Sequence, residues 1–73
     1  MKHVLRKMSV KGDAPVCEWD TDTVTPERLV EIEAEFTAMQ KQGFFAADIG
    51  KNELIHEFDP NADILMMPRL QGG

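Results

Sequence analysis

One segment carries the clearest helical pattern in the chain, and it constrains the rest of the fold. Thr25-Pro26-Glu27 is a typical helix start, because the threonine hydroxyl can cap free amides and proline fits the first turn. Gly43 is predicted to end the helix. Between them, four apolar residues fall within an arc of about 80° at helical spacing: Leu29, Ile32, Phe36 and Met39. So narrow a stripe predicts a helix over residues 26–42 that packs on a single surface, which we expect to be a sheet.

The segments on both sides of this helix have the character of β-strands. Residues 3–10 and 15–19 are separated by Lys11-Gly12-Asp13-Ala14, which suits a tight reversal, so a β-hairpin is predicted. Alternation places Cys17 and Trp19 on one face of its second strand. After the helix, three short strands separated by turns are predicted, at residues 44–49, 53–58 and 64–67.

The last of these strands is the most apolar part of the chain. Ile64-Leu65-Met66-Met67 is uninterrupted apolar sequence, which suits a strand with neighbours on both sides, and Pro68 closes it. The order ββαβββ predicts an α+β fold in two layers, with one helix on a mixed sheet and the last strand beside the first. The 73 residues make one small domain, which we assign to residues 1–68, followed by a flexible tail over 69–73.

Composition argues against several classes of function. Acidic residues outnumber basic ones 13 to 8, for a net charge of −5, so nucleic acid is a poor partner. No apolar run approaches the roughly 18 residues of a membrane span, and MKHVLRKMSV is unlike a signal peptide, so we expect a cytoplasmic protein without membrane contact. The single cysteine, Cys17, excludes an internal disulfide. His3 and His56 lack thiol partners, so neither a metal nor a cofactor is expected.

The charges are segregated along the chain. Residues 1–12 hold four bases and no acid, whereas residues 13–35 hold eight acids and Arg28 as the one base. Two interpretations stay open. The charges can form a solvated strand edge and a solvated helix face, or the acidic region can be a docking surface for a basic partner.

Three isolated groups invite a chemical interpretation, and each has a structural one that we favour. Cys17 beside Trp19 is predicted to pack in the core rather than act as a nucleophile. His56 is predicted to be an ordinary strand residue. Asp59 and Asp63 flank a turn that lacks the glycine and distal glutamate of a calcium-binding EF-hand loop, so a turn is predicted there.

The end of the sequence carries the most specific motif. Asp63 and the apolar strand lead to Pro68 and then to Arg69-Leu70-Gln71-Gly72-Gly73. With the order of elements, this ending resembles the ubiquitin-like β-grasp family, whose sulfur carriers end in an apolar strand, proline and Gly-Gly, and whose ubiquitin ends in Arg-Leu-Arg-Gly-Gly. The sequence departs from the carriers at Asn61-Ala62, where a glycine is usual, and at Arg69, where a second proline is common. Arg69 favours a tail of the protein-modifier type.

The resemblance implies a bacterial type of protein modifier or sulfur carrier. In that family a separate activating enzyme uses ATP to adenylate the C-terminal carboxylate, here that of Gly73, which then becomes a thioester or a thiocarboxylate. Gly72 and Gly73 would fit the enzyme's narrow channel because they have no Cβ. Arg69, Leu70 and Gln71 would be the residues that recognise the enzyme. A conjugating enzyme and a JAB-type protease are further implied partners, and the chain itself would be a substrate rather than an enzyme.

Residue parity in the last strand predicts a second functional surface. Ile64 and Met66 are expected to face the helix, so Leu65 and Met67 point to the uncovered face, near basic residues of the first strand. We predict a partner-binding patch there. An alternative function is a non-conjugated β-grasp interaction or adaptor module, for example of the phage-tail-assembly type, in which Gly-Gly is incidental. A small enzyme that uses Cys17 is a third, weaker hypothesis.

Overall fold

The chain folds into six secondary-structure elements, in the order predicted from its sequence. The computed structural model describes residues 1–68. Its elements are β1 (Lys2–Ser9), β2 (Gly12–Asp20), α1 (Pro26–Lys41), β3 (Phe45–Asp48), β4 (Glu53–Ile55) and β5 (Ile64–Met67). One helix packs on one mixed sheet, so the predicted two-layer α+β fold is confirmed, and its arrangement is compatible with a β-grasp.

The five strands lie in the order β2-β1-β5-β3-β4. β1 and β2 form the predicted antiparallel hairpin, and β1 runs parallel to β5. β3 pairs antiparallel with β5 on one side and with β4 on the other. The most apolar strand therefore lies in the middle of the sheet beside β1, as predicted from its uninterrupted run of large side chains.

The helix begins and ends where its capping residues predict. The Thr25 hydroxyl accepts a hydrogen bond from the Arg28 backbone N–H at 3.2 Å, and Pro26 occupies the first turn. Gly43 follows the helix with a φ of 99°, a left-handed conformation that costs glycine little. With 16 residues and a polar exposed face, α1 is neither long nor apolar enough to cross a membrane.

The core lies between α1 and the covered face of the sheet. Ile32, Phe36 and Met39 of the helical stripe are buried, and Leu29 is partly buried against them. On the sheet side the core includes Leu5, Cys17, Trp19, Ala46, Ile64 and Met66. The predicted stripe, and the predicted placement of Cys17 and Trp19 on one face, are both confirmed.

The fourth strand is shorter than predicted, and the reason lies in tertiary packing. The prediction extended it to Phe58, whereas β4 ends at Ile55. The Phe58 ring turns into the core, 5.6 Å from the ring centroid of Trp19 and 5.8 Å from that of Phe36. The Gln40 side-chain amide donates a hydrogen bond to the His56 carbonyl at 2.9 Å. His56 is thus an exposed residue after the strand, and its prediction as a strand residue was wrong.

The hairpin also differs from its prediction, because β2 begins earlier. Gly12 takes a φ of 109° and already pairs with Ser9, so the turn is tighter than the predicted residues 11–14. The register shifts between Leu5 and Arg6, which leaves Val16 as an extra residue in β2. Pro15 lies beside this bulge, where a strand at the sheet edge tolerates a residue without an N–H.

Candidate functional site

The described residues end just before the predicted tail. Five predicted tail residues lie outside residues 1–68: Arg69, Leu70, Gln71, Gly72 and Gly73. The prediction that this tail is flexible therefore concerns residues that the structure does not describe. What the structure does describe is the strand that leads to them. β5 ends at Met67, and Pro68 follows it, so the tail sequence is joined directly to the central strand.

The parity predicted for the last strand is confirmed. Ile64 and Met66 are both 0% exposed and pack in the core under α1. Leu65 and Met67 alternate with them, are half-buried, and belong to the face that α1 does not cover. Whether a partner binds there stays a prediction, but the two side chains that define the predicted patch do lie on the open side of the sheet.

Strand pairing extends this pair into a larger apolar surface. Ala47 is the Cα partner of both Leu65 and Leu54, and Phe45 is the partner of Met67. Leu54 is 60% exposed and Phe45 is 40% exposed. We use the term open-face patch for the apolar residues of β3, β4 and β5 on this side and for the residue after β3: Phe45, Ala47, Ile49, Leu54, Leu65 and Met67.

A shallow groove runs through the open-face patch. It has a volume of about 290 Å³, and Ala47, Ile49, Leu54, Leu65 and Met67 are among the residues that line it. Ala47 has the smallest side chain of the five and lies between the larger Leu65 and Leu54 in the strand register. The short side chain of Ala47 thus lies among larger apolar side chains in the lining of the groove.

Sequence reasoning found two members of this patch and missed the others. Phe45, Ala47 and Ile49 alternate along β3 and into the following turn, which is a signal for one shared face. Which face they share depends on how β3 pairs with β5, a contact between segments distant in sequence. The alternation could have suggested the group, but only the register joins it to Leu65.

A cation borders the patch on the β1 side. Arg6 is the Cα partner of Leu65, and it is half-buried. Within residues 1–68 it forms no ion pair and no side-chain hydrogen bond. The prediction that basic residues of the first strand lie near the patch is confirmed for Arg6. Lys7 instead points to the covered side, with its Nζ 5.1 Å from the Phe44 ring centroid.

The other end of β1 carries a depression of about 470 Å³, lined by both polar and apolar residues. Its lining includes Lys2, His3, Glu18, Asp20 and Asp63. A single oxygen of Asp63, Oδ1, accepts the Val4 backbone N–H at 3.1 Å and lies 3.3 Å from Nδ1 of the buried His3. Asp63 thus supplies an acceptor to β1 just before the first residue pair between β1 and β5, Leu5 and Ile64.

Two charged groups at this end stabilise each other. Asp20 accepts the Asp22 backbone N–H at 2.9 Å and lies 3.0 Å from the Met1 α-amino group. The backbone hydrogen bond and then the ammonium lower the pKa of the Asp20 carboxyl below its ordinary value. The Met1 amino group donates to the Asp22 carboxylate at 2.8 Å, and this contact, followed by the one with Asp20, raises the pKa of the amino group. Met1 and Asp22 are exposed and Asp20 is partly exposed, so these ion pairs contribute little to stability.

The residues considered for other chemistry have structural roles. Cys17 is buried, and desolvation raises the pKa of its thiol, which disfavours the thiolate needed for nucleophilic attack. Its prediction as a core residue is confirmed. The carboxylate of Asp59 accepts the Asn61 N–H at 2.9 Å, as in a turn. Within residues 1–68, histidine, cysteine, aspartate and glutamate side chains do not cluster in a way that could hold a metal ion.

Comparison with known proteins adds no relative to this description. Neither protein-family models, nor curated proteins, nor solved structures gave a match to the chain. The open-face patch and the tail sequence that follows β5 are therefore interpreted from their own chemistry.

Proposed function

We propose that the chain is a ubiquitin-like protein modifier or sulfur carrier that is activated through a carboxylate at Gly73. A separate ATP-dependent enzyme adenylates this carboxylate, and a thiol or sulfide then displaces AMP to give a thioester or a thiocarboxylate. The chain supplies the carboxylate and the surface that is recognised. The enzyme supplies the nucleotide site and the chemistry.

The observation that carries this proposal is the position of β5. It is the central strand, it lies parallel to β1, and it leads directly into Pro68 and the sequence that ends in Gly72-Gly73. The ββαβββ order and this topology are compatible with the β-grasp arrangement that the tail motif suggests. Fold and motif therefore support the same class of function from independent residues.

The open-face patch could serve as a docking surface for the activating enzyme, because its last residue lies only a few residues before Gly73 in the sequence. Met67 belongs to the patch and precedes Gly73 by six residues. An extended segment of that length spans at most about 20 Å. An enzyme that binds the patch can therefore hold the Gly73 carboxylate in a site up to that distance away. Arg69, with Leu70 and Gln71, would guide the segment to acidic groups of the enzyme.

The direct test is adenylation of a chain that ends at Gly73. The protein is incubated with ATP and each candidate activating enzyme from its own genome, and pyrophosphate release and the intact mass are followed. We expect pyrophosphate release that depends on the chain, and the mass of a thiocarboxylate or of a thioester with the enzyme. No turnover with any activating enzyme would contradict the proposal.

Matched variants separate tail chemistry from loss of fold. Deletion of Gly73, or Gly72→Ala, should abolish activation and leave the thermal midpoint within about 1 °C, since neither residue belongs to the core of residues 1–68. A Leu65→Asp, Met67→Asp double variant should stay folded and lose enzyme binding. If the glycine variants unfold instead, the tail has a structural role.

A second candidate is a non-conjugated interaction module, and the open-face patch favours it. The side of a two-layer domain away from its helix is often polar, whereas here three apolar patch members, Phe45, Ile49 and Leu54, are at least 40% exposed. This function would need the patch and not Gly73. It predicts a partner whose affinity is unchanged by deletion of Gly72 and Gly73.

A further inference from the structure

We draw no further inference here: the strongest candidate, the apolar open-face patch on β3, β4 and β5 with Arg6 at its border, belongs to the docking surface already described, and nothing in the structure shows what covers it.

Discussion

Met66 and Met67 are neighbours in β5, yet they lie in two different environments. Met66 is 0% exposed and packs under α1 with Ile64, whereas Met67 is half-buried on the open face beside Leu65. The same contrast holds across the sheet, because α1 covers one face and does not cover the other. The two apolar sides of β5 therefore differ in role, because the side under α1 fills the core and the other side forms part of the surface.

The largest effect is expected from the covered face. Phe36 is buried in the helical stripe and contacts the Phe58 ring. Phe36→Ala should lower the free energy of unfolding by about 3–5 kcal/mol, because it leaves a cavity between helix and sheet. Urea denaturation followed by Trp19 fluorescence measures this, with Leu54→Ala as an open-face control expected within about 0.5 kcal/mol. Equal losses in the two variants would erase the distinction between the faces.

The adjacent methionines sharpen the comparison within one strand. Met66→Ala should cost about 2–5 kcal/mol, the usual range for a fully buried methionine. Met67→Ala should cost less than about 1 kcal/mol, because its side chain is already partly in water. Urea midpoints of the two variants, at equal chain concentration, give the difference directly. A Met67→Ala loss that grows with chain concentration would reveal burial by association.

The helix that makes the difference between the faces is itself held by its cap. Thr25→Ala removes the acceptor of the Arg28 N–H, a bond of 3.2 Å, and should cost about 1 kcal/mol. Thr25→Ser keeps the oxygen and is the control. The urea midpoint reports the loss, and circular dichroism of the native state should stay unchanged. If both variants lose stability equally, the threonine methyl rather than the hydroxyl is responsible.

The smallest effect is expected from Asp20, at the end of β2 and away from both apolar faces. Because its neighbours lower the pKa of the Asp20 carboxyl, folding favours the ionised form of that group. The contribution to stability is present above the unfolded-state pKa of about 3.9 and is lost as the pH falls below it. Urea midpoints between pH 5 and pH 2 should therefore fall slightly less steeply in Asp20→Asn than in the parent chain. An unchanged slope would mean that the contacts of Asp20 contribute nothing to the free energy of unfolding.

The sequence predicted the parts of the fold that depend on local patterns. Three features can each be predicted from a short stretch of sequence, and each was confirmed: the helical stripe, the Thr25 cap and the apolar run of β5. Phe58 shows where such reasoning stops. Its alternation with Ile55-His56 suggested a strand, but its ring packs between Trp19 and Phe36, two residues far away in the sequence. The segment before Phe58 could have continued β4 or brought the ring into the core, and contacts with residues distant in sequence favour the second.

The residues of the candidate site also divide into those that local patterns predict and those that depend on contacts between distant segments. Leu65 and Met67 could be assigned to the open face because parity in β5 is a local property. Leu54 could not be added to them, since its place depends on two successive pairings, of β4 with β3 and of β3 with β5. The tail was predicted from the sequence that follows β5, Pro68 to Gly73, together with the order of elements, and residues 69–73 lie outside those that the structure describes.

The bulge and proline of β2 have a consequence for how molecules of this protein can meet. A nine-residue strand at the border of a sheet offers a row of amides and carbonyls to any other extended chain, and such rows promote edge-to-edge growth and aggregation. In β2 the row is interrupted, because Pro15 has no amide hydrogen and the extra Val16 bends the strand. The opposite border, β4, has three residues and offers little to extend. With both borders blunted, the sheet offers little to edge-to-edge pairing between molecules, which is the usual first step towards fibrils.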